Sequence, residues 1–120
     1  MKRLLVVAAT LALATPSAFA ARARGIDLDS DRARADDAAV ILTADERYLA
    51  FQEHRVDMLN ASWQHEIAMG HPQEAGILAV EHWKAFQDER RAQAVLDHAR
   101  REFVSAKERL IVDEFALQHA

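Results

Sequence analysis

The amino-acid sequence predicts an all-α protein built as an antiparallel helical hairpin with a long second helix. Three observations carry that reading. Thr43-Ala44-Asp45-Glu46 forms a capping box ahead of apolar residues at helical spacing. Gly70-His71-Pro72 joins a glycine suited to the left-handed end of one helix to a proline suited to the first turn of the next. From Pro72 onward there is no further proline, and Gly76 is the only glycine.

The elements follow in order. Residues 1–20 have the three parts of a bacterial secretory signal: basic Lys2 and Arg3, an apolar stretch from Leu4 to Ala14, and a small-residue end at Ala18-Phe19-Ala20. The apolar stretch, about eleven residues, is well short of the roughly 20 that span a bilayer, and the chain has no cysteine to carry a lipid. Cleavage near Ala20 is expected to release a periplasmic or secreted protein with no membrane span or lipid anchor. Residues 21–42 alternate Arg, Ala and Asp over most of their length and read as a flexible N-terminal arm. Residues 43–120 form the helical hairpin domain.

Within that domain the first helix is expected over 44–69. On a straight helix Tyr48, Leu49, Val56, Leu59, Trp63 and Ile67 fall within an arc of about 100°, the width of a core-facing stripe. In the second helix Leu96, Ala99, Phe103, Ala106, Leu110 and Leu117 keep a 4-3 spacing broken only by Asp113, and Leu78, Ala85 and Ala92 extend it backwards with small residues. The second helix is then the longer by roughly 30 Å at 1.5 Å per residue, which leaves its last third uncovered. That third carries Phe103, Leu110 and Leu117 on one face and Val104, Ile111 and Phe115 on another. Two apolar faces call for two neighbours, so these six residues form the expected interaction surface of a dimeric bundle. The alternative is a three-helix monomer with a bend near Asp88-Glu89-Arg90-Arg91.

Composition narrows the chemistry. Without the two basic residues of the signal, 13 basic side chains stand against 19 acidic ones, a net −6. No cationic patch is offered to nucleic acid or anionic lipid. The absence of cysteine removes thiol catalysis and thiolate metal sites. Ser105 lies seven residues after His98, yet no glycine-containing elbow accompanies it, and a hydrolase is not expected. His65-Glu66 is followed by Met69 where a zinc-protease helix needs a second His. Asp27-Leu28-Asp29-Ser30-Asp31 opens like a calcium loop, but Arg32 stands where glycine is needed and Ala38 where a closing Glu belongs.

One ligand set is worth stating against its packing alternative. His54, Met58, His65 and Met69 share a face of the first helix, away from the Trp63 stripe, and imidazole with thioether suits Cu(I). Phe51 lies on that face as well, so the same residues equally describe a packing surface with histidine at its rim. Trp63 and Trp83 read as packing residues against the facing helix.

Leu42-Thr43-Ala44-Asp45-Glu46 resembles the Leu-Thr-x-x-Gln element of small periplasmic helical-hairpin proteins of the envelope-stress chaperone and metal-sensing type, with Glu46 in place of Gln. The resemblance covers five residues and implies an exported helical hairpin that binds clients or metal. The expectation is therefore a non-catalytic, chaperone-like interaction protein that forms a homodimer and engages an envelope client, with soft-metal binding as the alternative.

Overall fold

The computed structural model describes residues 25–119; residues 1–24, with the expected signal segment and cleavage site, and residue 120 lie outside them. Two helices, α1 (Leu28–Ala68, 41 residues) and α2 (Pro72–Gln118, 47 residues), pack against each other, and no strand occurs among the described residues. α2 is the longer helix, and it runs unbroken through Asp88–Arg91. The three-helix alternative is thereby overturned.

α1 begins sixteen residues before Ala44, where the sequence placed its start. Asp27 caps it, its Oδ1 accepting the Ser30 N–H at 3.1 Å, and Asp29 and Asp31 place negative charge in the first turn, where the helix dipole favours it. The acidic run that opened like a calcium loop is thus a helix N-terminus. The Thr43 hydroxyl, expected to cap, donates to the Ala39 carbonyl at 3.0 Å, as hydroxyls do within a helix. The flexible arm is corrected accordingly: from Leu28 onward it is helix. Ala and Arg favour the helical state there, and Ala35 is buried.

The hairpin closes on a Schellman turn. Gly70 takes φ +76°, its N–H donates to the Ile67 carbonyl at 3.1 Å, and the His71 N–H donates to the Glu66 carbonyl at 3.0 Å. Pro72 then opens α2 without an N–H to satisfy.

The chain divides into two compact units. The larger spans residues 38–103 and contains the turn. Among its covered positions one series runs along α1 through Ala38, Leu42, Asp45, Leu49, Gln52, Val56, Leu59, Trp63 and Glu66, and one along α2 through Ala75, Leu78, His82, Ala85, Glu89, Ala92, Leu96, Ala99 and Phe103. Both sets repeat every 3 and 4 residues, the register of a coiled-coil seam. Tyr48 and Ile67, expected on the core stripe, are exposed. The centre is Leu49, Ala92 and Leu96, with Leu42 against them, and Leu96 is 1% exposed. Alanine dominates the α2 side of the seam, which lets the backbones approach but buries little apolar area per residue.

The smaller unit joins residues 25–37 to 104–119. Asp31, Ala35, Ala106 and Asp113 are its buried residues. Arg109 reaches Asp113 at 3.4 Å and Asp31 at 3.9 Å, and Arg32 reaches Glu114 at 3.6 Å. The last third of α2 is therefore faced by the start of α1, not left uncovered. Phe103, Leu110 and Leu117 are half-buried.

Candidate functional site

In the larger unit the seam occupies one face of α1, and a second 3-4 register lies beside it, displaced by one residue. Ile41, Ala44, Tyr48, Phe51, Arg55 and Met58 form this stripe. Its large apolar members are each between 52% and 59% exposed. Arg55 interrupts it in sequence but not in charge. Its guanidinium donates to Asp88 at 2.9 Å and to Gln52 at 3.3 Å, so its charge is engaged away from the apolar neighbours that precede and follow it in the register, Phe51 and Met58. Asp88 is also held by Arg91. The Arg55 hydrogen bond, reinforced by Arg91, keeps the Asp88 carboxyl below its usual range against the opposing effect of partial burial.

Nearer the turn, Trp63, Ala79, His82, Trp83 and Phe86 line an open apolar groove. The Trp63 and His82 rings stack at 6.3 Å, and the Arg90 guanidinium stands 6.0 Å from the Phe86 ring centre. Trp63 is half-buried on the seam, as its packing role requires, whereas Trp83 is exposed.

The ligand set read from sequence lies on the outer side of α1. His54, Met58, His65 and Met69 are all exposed, and Met58 belongs to the apolar stripe. His82, on α2, is the ring stacked on Trp63. Among the described residues no group of three or more His, Asp or Glu side chains is placed to hold a metal ion. The proposed interaction surface divides by exposure: Phe103, Leu110 and Leu117 are half-buried, and Val104, Ile111 and Phe115 are exposed, with Val112 beside them.

The smaller unit holds a feature that composition did not reveal. Asp31 and Asp113 are buried together, and Asp31 Oδ2 is enclosed with no amide or guanidinium donor upon it. Hydrogen bonding with the Asp113 carboxyl, then burial, then the negative charge of Asp113 hold the Asp31 carboxyl above its usual range, while Arg109 opposes the shift. The only sequence signal for this pair was Asp113 itself, the one polar break in the 4-3 stripe of α2.

No helix among the described residues is long and apolar enough to cross a membrane. No family model, curated protein or solved structure matches the chain.

Proposed function

We propose that this is a non-catalytic, exported interaction protein of chaperone-like type, which self-associates and binds clients through apolar helix surface left open by the hairpin. One observation carries the reading. Among the described residues Leu96 is the one large side chain that is fully buried, while sixteen large apolar side chains stand exposed. Ordinary surfaces carry scattered apolar residues, but here Ile41, Tyr48, Phe51 and Met58 recur at helical spacing on one face of α1, and Trp83 and Phe86 line an open groove, which is the pattern of surfaces that pack. The signal segment supports action outside the cytoplasm, and the acidic balance favours protein clients over nucleic acid.

The test uses the protein recovered from a cell-envelope fraction. Intact mass is expected to show Ala21 at the N-terminus; a mass retaining Met1–Ala20 overturns the export reading. The folded protein is expected to bind an apolar dye and, at near-stoichiometric amounts, to suppress light scattering by a heat-unfolded client enzyme. Trp83→Glu, at the exposed side of the groove lined by Trp63, Ala79, His82 and Phe86, is expected to weaken both effects. Absence of dye binding and of suppression in the wild type overturns the interaction reading.

A further inference from the structure

We infer that the occupant of the α1 stripe is a second copy of this chain, whose own stripe lies antiparallel across it about a two-fold axis between Tyr48 and Phe51. This rests on the self-association reading and adds its location and geometry. Three observations support it. The stripe is a complete second 3-4 register on a helix whose first register is already covered in the seam, and such a helix packs on two neighbours. No free charge divides it, because Arg55 is held by Asp88 and Gln52. Its order of sizes also reads alike in both directions. Reversal about the midpoint sets Ile41 against Met58, Tyr48 against Phe51, and the small Ala44 against the long Arg55 stem.

Large opposite large at the ends, aromatic on aromatic at the centre and small opposite long between them is the self-complementarity that a two-fold contact demands. An unrelated partner has no reason to require it. The exposed halves of the four large side chains offer on the order of 500 Å² per copy, the greater part of the ~800 Å² per partner of a stable interface. Tyr48 and Phe51 at the axis are each used twice, which concentrates the contact where aromatic anchors are most effective.

The mature protein has no cysteine, so single introduced cysteines carry spin labels without background. In an antiparallel contact, labels at residue 41, or at residue 58, sit 17 positions from their counterparts along the axis, roughly 26 Å at 1.5 Å per residue. Labels at residue 51 sit within about 5 Å axially. The expected result is a short distance at 51 and long, nearly equal distances at 41 and 58. Equal short distances at all three positions, or no short distance at 51, overturn the inference.

Sedimentation distinguishes it from the reading beneath it. Phe51→Glu is expected to weaken the dimer roughly a hundred-fold or more, since the carboxylate would be buried unpaired twice per complex, while Phe115→Glu leaves it intact. Circular dichroism verifies that both variants keep their helix. A dimer lost in Phe115→Glu and kept in Phe51→Glu overturns the location and leaves self-association standing. A dimer kept in both overturns the location too, and if both lose it the label distances decide. A wild type monomeric at 100-micromolar concentration, on the order of any useful affinity, overturns both.

Discussion

The two units of this molecule are built from the same two helices yet are held by different physics. In residues 38–103 the seam closes around Leu49, Ala92 and Leu96, no charged residue is fully buried, and Arg55 and Asp88 meet at 2.9 Å at its edge. Where residues 25–37 meet 104–119, charge has moved inward, and Asp31 and Asp113 occupy buried positions beside Ala35 and Ala106. A half-buried carboxylate held by two arginines prefers its ionised form, whereas a buried carboxylate beside another prefers its proton. The same residue type therefore favours folding at neutral pH in the larger unit and opposes it there in the smaller one. A second difference lies in connectivity. The larger unit contains its own turn, while the smaller joins segments separated by all of residues 38–103 and depends on prior folding of that segment to shorten its loop.

The largest expected effect probes that dependence. Leu96→Ala removes the most enclosed large side chain among the described residues and is expected to destabilise by about 2–5 kcal/mol. Because the smaller unit relies on the larger one, amide protection should fall in both. Hydrogen exchange showing loss confined to residues 38–103 would make the units independent and break the comparison.

Gly70→Ala comes next. At φ +76° a side chain is strained by about 1–2 kcal/mol, and no atom lies within 4 Å of the added methyl, so backbone strain is the whole effect. Thermal unfolding is expected to shift downward by several degrees with helix content unchanged. A neutral outcome would show that the Schellman turn is not what closes the larger unit.

The legibility of the sequence divides along the same line. Gly70 and Pro72 marked the turn because each residue does there what no other does as well. The C-terminal stripe of α2 was readable from Leu96 to Leu117 because Leu96, Phe103, Leu110 and Leu117 recur every seven residues, with Ala99 and Ala106 between them. The start of α1 was not. Its buried residues are Asp31 and Ala35, one charged and one small, so no hydrophobic period announces a helix whose burial depends on a segment far along the chain. Tyr48 was misplaced for a geometric reason. A straight helix advances 100° per residue and brings it into the core arc, but a heptad register drifts about 20° per turn pair from that projection and selects Leu42, Leu49, Val56 and Trp63 instead. That one-residue displacement separates the core from the stripe proposed to bind a second copy. Tyr48 was therefore missed as the neighbour of Phe51, which the sequence already put on a second packing face with Met58.

Asp31→Asn sharpens the contrast in charge. The folded Asp31 carboxyl is held above its usual range, so its contribution to stability is fully present below the unfolded value and is lost as pH rises through the raised folded value. An amide supplies a fixed donor to Asp113 and cannot ionise. The variant is expected to raise amide protection in residues 104–119 at pH 7, with a midpoint gain of a few degrees for a domain of this size. The gain should vanish once acid protonates Asp31 in both states. Wild-type protection in those residues should itself rise as pH falls from neutral towards the usual carboxylate range. Protection that falls over that interval would mean Arg109, not Asp113, governs the pair.

Asp88→Asn is the smallest effect and completes the comparison. Its folded carboxyl is held below the usual range, chiefly by Arg55 and further by Arg91, so its contribution is present above the unfolded value and disappears as pH falls through the depressed folded value. The group is a third exposed, and water and salt screen the pair, which limits what its loss can do. The substitution is expected to lower the midpoint slightly at pH 7, less so at high salt, and not at all in strong acid. Replacing aspartate by asparagine at two positions of one seam-forming helix pair should thus produce changes of opposite sign at neutral pH that both disappear on acidification. Equal signs at pH 7 would show that burial, and not the neighbouring charge, sets the behaviour of both carboxylates.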